Sequence, residues 1–262
     1  MKRVGVIGAG KIGGSLVARL SASGNFDLTV SDLHREHLAR FAEGYGVETT
    51  SSNREAAEGS DLLVLAVKPW DVGRVLEEIS PAIKGDEKAV VSVAAGVPIS
   101  TIEGRLPAGA AVLRVMPNVC AAVGLGSAVV AANESGEAHL PEVVGIFRHV
   151  GDVIELPERL FDAATALHGS GPAYVALFAD ALVQAGVREG IPRDVARRLV
   201  NGTIGGTAVL LKERTAHQIR DEVMTPGGTT AAAFVAMEKA GFVAAIYDGI
   251  EAATEQARRL AE

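Results

Sequence analysis

The chain has 262 residues, with 25 Lys and Arg against 32 Asp and Glu, a formal net charge of −7 and 48 % hydrophobic residues. That length suits one large or two modest domains with a sizeable core, and an acidic balance without a Lys/Arg cluster argues against nucleic acid or anionic membrane surfaces as partners. The single cysteine, Cys120, excludes an intrachain disulfide and any multi-cysteine metal site, and fits a reducing cytoplasm.

Met1-Lys2-Arg3-Val4 runs straight into a strand pattern, which leaves no room for a signal peptide, and no apolar stretch is long and unbroken enough to span a bilayer. From residue 1 to residue 157 short β-branched runs alternate with helical periodicity. This is the grammar of an α/β, Rossmann-type doubly wound domain whose parallel sheet is covered on both faces. The spacing predicts strands at Arg3–Ile7, Leu28–Ser31, Leu62–Val67, Ala89–Val93, Ala111–Val115, Gly126–Ala132 and Asp152–Leu156. It predicts helices at Ile12–Ser23, Arg35–Tyr45, Asp71–Ile79, Ile99–Arg105 and Pro141–His149.

The first predicted strand and helix enclose Gly8-Ala9-Gly10-Lys11-Ile12-Gly13. Gly8, Gly10 and Gly13 have the GxGxxG spacing in its proper context, where the first two glycines allow a tight turn and close approach of a pyrophosphate and the third lets helix and strand pack. Asp32 ends the next strand, nineteen residues past Gly13. A carboxylate there accepts hydrogen bonds from adenosine ribose hydroxyls and repels a 2′-phosphate, which favours NADH. His34 and Arg35 follow at once, and a guanidinium in that place leaves NADPH open. The plainer reading of Asp32 is a cap for the helix that starts near Arg35.

Residues 158–262 lack strand patterns and are rich in Ala, Leu, Val and Gly at helical spacing, so an all-α second domain is expected. Pro172 and Pro192 suit first helical turns, Thr215 with Gln218 resembles a capping box, and Gly241 punctuates the last two helices. Pro172–Val187 and Val195–Leu211 are apolar on more than one face, more than about a hundred residues can bury alone. Two copies are therefore expected to interleave their helical domains as a homodimer. Within this domain Thr225-Pro226-Gly227-Gly228-Thr229-Thr230 opens a helix, and free NH groups at such a start suit a carboxylate.

Four stretches make a specific resemblance: Leu65-Ala66-Val67-Lys68-Pro69, Met116-Pro117-Asn118, Thr165-Ala166-Leu167-His168-Gly169-Ser170-Gly171-Pro172-Ala173-Tyr174, and the segment Thr225 to Thr230. Together they resemble pyrroline-5-carboxylate reductase, in order and over the whole chain. The resemblance implies hydride transfer from NADH or NADPH to the C=N carbon of 1-pyrroline-5-carboxylate, the last step of proline synthesis. It also implies a dimer formed through the helical domain, possibly assembled into a homodecamer.

By similarity, the pyrophosphate meets Ile7, Gly8, Ala9, Gly10, Lys11 and Ile12. The adenosine end meets Asn53 and Ala66, Val67, Lys68 and Pro69, and Ala94, Ala95 and Gly96 line the nicotinamide side. Asn53 also has a plainer reading, as the N-cap of a helix over Arg54–Glu58. The ring carboxylate is expected on Thr225, Gly227, Gly228, Thr229 and Thr230, with the Thr230 hydroxyl as the catalytic group that orients the protonated imine or relays a proton. The active site is expected between the domains, completed by a partner helix, and no metal is implied.

The chain departs from the family pattern at three positions. His168 stands where relatives usually carry Ser, and is open to three readings: proton donor, carboxylate ligand, or space filler. Val119-Cys120 stands where relatives usually continue with Thr-Pro, and Cys120 reads as a buried, unreactive thiol. Asp32 stands where many relatives place Asn or Ser with Arg. A hydroxyacid dehydrogenase of the same plan would carry a catalytic lysine on the first interdomain helix, and no lysine lies between Lys88 and Lys212. A nicotinamide-sensing protein without turnover would bind NADH and reduce nothing. The six histidines show no zinc spacing, and His34 and His37 share a helical face assigned to solvent.

Overall fold

Eight strands form one sheet: β1 (Lys2–Ile7), β2 (Phe26–Ser31), β3 (Glu48–Thr50), β4 (Leu62–Leu65), β5 (Ala89–Ser92), β6 (Ala111–Pro117), β7 (Gly126–Ala132) and β8 (Gly151–Glu155). Their spatial order is β3-β2-β1-β4-β5-β6-β7-β8. These are features of a computed structural model that describes residues 1–261. Neighbouring strands run parallel with one exception, the antiparallel pair β6 and β7. The parallel sheet expected from the sequence has this one exception for a simple reason. Only Asn118–Leu125 joins these strands, fewer than the dozen or so residues a parallel crossover requires.

Helices α1 (Lys11–Ser23), α2 (Arg35–Tyr45), α3 (Asn53–Glu58), α4 (Pro69–Ile79), α5 (Ile99–Glu103) and α6 (Leu140–Phe147) connect the strands. Side chains alternate across a strand, so continuous apolar runs feed two cores. Val4, Val6, Val64, Val91 and Val115 pack with Leu16 and Leu20 of α1 and Phe147 of α6. Ile7, Leu63, Leu65, Val90 and Val112 pack with Val72, Val75 and Ile79 of α4 and Ile102 of α5. The strand β3 and helix α3 are short additions to the predicted elements. Ser52 caps α3 by accepting from the Glu55 NH, so Asn53 is the first helical residue rather than the cap.

Beyond β8 come α7 (Phe161–Ala164) and a π-helical turn, Thr165–Gly169, in which the Ser170 NH donates to the Thr165 carbonyl at 3.0 Å. Phe161 and Ala166 are buried, and Arg114 of β6 pairs with Glu158 at 3.0 Å. This segment therefore belongs with the sheet. The chain divides into one unit of residues 1–170 with the end of the last helix from Ala253 onward, and a second of Gly171–Ala252. From the sequence alone, the division falls after Pro157.

The second unit holds α8 (Gly171–Arg188), α9 (Arg193–Leu210), α10 (Ala216–Val223), α11 (Thr229–Lys239) and most of α12 (Phe242–Ala261). Thr215 and Gln218 close a reciprocal capping box on α10. Gly241 takes φ +77° between α11 and α12. Pro192 is the N-cap of α9, one position earlier than the expected first turn. Among the described residues, the buried apolar positions of this unit are Val183 and Ala196. No single described helix is long and apolar enough to cross a membrane.

Candidate functional site

The turn after β1 lies where the strand order reverses between β1 and β4, the point at which doubly wound sheets open a crevice beyond the strand ends. Its glycines do different jobs. Gly8 has φ +99°, and a Cβ on it would lie 2.6 Å from the Ala66 carbonyl oxygen; one on Gly13 would lie 2.0 Å from the Gly8 carbonyl oxygen. Both are required by packing. A Cβ on Gly10 would meet nothing within 4 Å. Gly10 is also the N-cap of α1 and supplies no side-chain cap. The first NH groups of α1 and its positive dipole end thus face an open cradle, suited to a pyrophosphate.

A cavity of about 650 Å³ extends from this turn. Of the residues the sequence pointed to, it is lined by Ile7, Gly8, Gly10, Lys11, Ile12, Asp32, Asn53, Ala66, Val67, Lys68, Pro69, Ala94 and Ala95. Ala9, Gly13 and Gly96 stand off the wall. Ala9 gives its NH to Asp32, Gly13 packs α1 on the turn, and Gly96 takes φ +73° just past Ala95. Ser31, Leu33, His34, His37, Asp71, Arg74, Met116 and Pro117 also face the cavity. Arg35, which the sequence left open as a 2′-phosphate ligand, does not line it; His34 and His37 do, while still meeting solvent as expected, His34 exposed and the His37 side chain 42 % exposed.

Asp32 is fixed by the backbone. Its Oδ2 accepts from the Ala9 NH at 2.7 Å and its Oδ1 from the His34 NH at 2.8 Å. The N-cap of α2 is His34, without a side-chain cap bond, so Asp32 closes the turn before the helix rather than capping it. Burial pushes its carboxyl up, but the His34 and Ala9 NH groups and His37 outweigh burial and hold it below the ordinary range. Asp32 is therefore ionised at neutral pH and can receive ribose hydroxyls.

Asn53 is buried and already engaged. It accepts from Ser31 Oγ at 2.7 Å and donates to Glu78 at 2.6 Å, while Arg74 donates to Glu78 at 2.8 Å. The guanidinium on this wall is thus neutralised by its own helix. Nothing in the spacing of Ser31, Asn53 and Arg74 announces the link, which arises from packing α3 beside α4.

Behind Met116, which lines the cavity, His168 Nε2 lies 2.8 Å from the Met116 carbonyl oxygen and Nδ1 lies 2.5 Å from that of Ala164. Asn118 Nδ2 donates to the His168 carbonyl at 3.1 Å. A neutral imidazole carries one N–H, so one of these two contacts is a hydrogen bond, and the ring sits between the π-turn and β6. Cys120 is half-buried rather than buried, in the turn that follows Asn118.

In the second unit Gly227 takes φ +70°, and the Gly228 NH donates to the Thr225 carbonyl at 3.0 Å. A Cβ on Gly228 would lie 2.4 Å from Thr225 Oγ1. This tight turn delivers Gly228 as the N-cap of α11, again with no side-chain cap bond. Thr229 and Thr230 occupy the first two helical positions, and Thr230 is half-buried. The uncapped start presents NH groups and a hydroxyl together, as a small carboxylate requires.

Two family models match the chain: pyrroline-5-carboxylate reductase dimerisation over residues 158–260, and NADP oxidoreductase, coenzyme F420-dependent, over residues 3–96. A pyrroline-5-carboxylate reductase of Synechocystis is 39 % identical over 98 % of this chain and 98 % of its own. Among solved structures, a pyrroline-5-carboxylate reductase of Coxiella burnetii superposes with a TM-score of 0.94 at 32 % identity, covering 99 % of this chain and 98 % of that one. The Plasmodium falciparum enzyme, solved with NADP bound, gives 0.86 at 30 % identity, covering 100 % and 98 %.

Proposed function

The chain belongs to the pyrroline-5-carboxylate reductase family, and on that footing we propose that it reduces 1-pyrroline-5-carboxylate to L-proline with NADH in preference to NADPH. The observation that carries this reading is the pair of uncapped helix starts, one beside an ionised Asp32 and one beside two threonine hydroxyls.

When bound, the dihydronicotinamide supplies the hydride. The residues of this chain bind and orient. The α1 NH groups hold the pyrophosphate, Asp32 accepts from the adenosine ribose, and Ala94 and Ala95 form an apolar wall for the nicotinamide side. In the second unit the Thr229 and Thr230 NH groups hold the ring carboxylate. Thr230 Oγ1 accepts the hydrogen of the protonated imine nitrogen, which fixes the C=N face, and that proton stays on the nitrogen as the carbon receives hydride. Positioning supplies most of the rate, and no strongly acidic or basic side chain is needed.

The exposed Leu177, Phe178, Val235 and Ile246 of the second unit form the surface of a homodimer, with a homodecamer as the larger assembly to be tested. The single Cys120 and the acidic charge suit a cytoplasmic enzyme.

The test is oxidation of NADH and of NADPH by purified protein given 1-pyrroline-5-carboxylate. Turnover is expected with both and faster with NADH, and Thr230→Val is expected to lower kcat about a hundredfold or more while leaving NADH affinity unchanged. Tight NADH binding with no turnover on this imine would overturn the reading in favour of a sensing role.

A further inference from the structure

The amide of Asn53, at the first position of α3, is held between a hydroxyl and a carboxylate. Its Oδ1 lies 2.7 Å from Ser31 Oγ and its Nδ2 lies 2.6 Å from Glu78 Oε2. Asn53 lines the cofactor cavity and is 8 % exposed, whereas Ser31 is 1 % exposed. A hydroxyl donates or accepts and so tolerates either orientation of an amide. Glu78 does not: its Oε1 receives Arg74 Nη1 at 2.8 Å, a guanidinium only donates, and an ionised carboxylate only accepts. Glu78, on α4, therefore dictates that Nδ2 rather than Oδ1 faces it. With one hydrogen given to Glu78, Nδ2 keeps a second to give.

We propose that Glu78 is a positioning residue for cofactor binding: it sets the Asn53 amide so that the remaining Nδ2 hydrogen is donated to an oxygen of the adenosine end. Glu78 is not itself among the residues that line the cavity, and it acts through Asn53. Without its carboxylate the amide is free to turn over, since Ser31 Oγ serves both orientations, and a turned amide meets an adenosine oxygen with an oxygen of its own. Arg74 secures Glu78 from the opposite side, so the guanidinium on the wall contributes by holding the acceptor rather than by touching the cofactor. This rests on the reading above that the adenosine end of a nicotinamide cofactor meets Asn53.

The test is calorimetric binding of NADH and of ADP-ribose, which keeps the adenosine end and lacks the nicotinamide. The proteins are the wild type, Glu78→Leu, Glu78→Gln, Asn53→Ala and the double variant Glu78→Leu/Asn53→Ala, each measured well below its melting temperature. Loss of one hydrogen bond predicts about three- to tenfold weaker binding of both ligands in Glu78→Leu. Glu78→Gln keeps the shape but offers one oxygen to two donors, and is expected to fall between Glu78→Leu and wild type. The double variant is expected to bind no more weakly than Asn53→Ala alone, because Glu78 acts through that amide. Losses that multiply in the double variant would mark a merely structural effect of Glu78 on α4 and overturn the proposal while sparing the reading of Asn53. A Glu78→Leu protein that melts lower yet binds both ligands like wild type would overturn it in the same way, as would a loss confined to NADH. An Asn53→Ala protein with wild-type affinity would remove the adenosine reading itself, and the proposal with it.

Discussion

The glycines of the first turn make opposite predictions for two substitutions that look alike. Gly10 has φ −71° and ψ −161°, which any residue adopts, and its Cβ would meet nothing within 4 Å. For Gly10→Ala, a cap preference for Gly over Ala of roughly 0.5–1 kcal/mol is offset by about 0.4–1 kcal/mol from a less flexible unfolded chain. Stability should stay within about 0.5 kcal/mol of wild type. The new methyl, however, occupies the cradle and keeps the pyrophosphate from the α1 NH groups, where charge-assisted bonds are worth about 1.5–3 kcal/mol each. NADH affinity should fall at least tenfold, or about 1.4 kcal/mol.

Gly13→Ala reverses the order of effects. Its Cβ would lie 2.0 Å from the Gly8 carbonyl oxygen, so α1 must move by roughly 1.5 Å to restore van der Waals distance. Overpacking of that kind costs about 1–3 kcal/mol, read as a fall of about 2–4 °C in Tm per kcal/mol in a chain of this size. Urea titration by circular dichroism, thermal melting and NADH calorimetry on both variants decide the matter. A Gly10→Ala protein that binds NADH as tightly as wild type would show that no pyrophosphate rests on this turn.

Three further outcomes are expected. Glu158→Ala strands Arg114, which is 4 % exposed, and leaves the Ile99 NH without its acceptor; breaking such a pair should cost about 3 kcal/mol in urea unfolding, and adding Arg114→Met should recover much of it. Asp61 is held down to about 2, first by the hydrogen bond from the Arg3 side chain. Its stabilising share is therefore complete above the ordinary carboxylate range near about 3.9 and lost as pH falls towards about 2. Because the pair is largely solvated, Asp61→Asn should be less stable than wild type by about 0.5–1 kcal/mol at neutral pH and equally stable below about pH 2. His168→Leu removes both ring contacts and should lower stability by about 1–3 kcal/mol, while kcat well below the melting temperature stays within a few fold; a hundredfold loss there would make His168 a proton donor after all.

The strands of the first unit were legible because Val, Ile and Leu recur in short runs between Gly and Pro, and Gly126–Ala132 falls on β7 without a shift. The edge strand Glu48–Thr50 was not, since three residues with polar side chains carry no periodicity. The reversal at β7 was present in the sequence all along as the shortness of Asn118–Leu125. The cofactor turn was readable as a motif that dictates its own geometry, whereas His37 was not: helical periodicity placed it beside His34 but gave no hint that its ring would lie beside Asp32. Ser31, Asn53, Glu78 and Arg74 come together only through the packing of α3 against α4. Local pattern cannot encode such a link.

The second unit has Val183 and Ala196 as its buried apolar residues, and that sparseness bears on how the protein works. On the homodimer proposed above, dilution acts on these helices as a denaturant, because their apolar surface leaves water against another copy. The melting temperature should then rise with protein concentration. Residues that look like surface in one chain will resist substitution as core residues do.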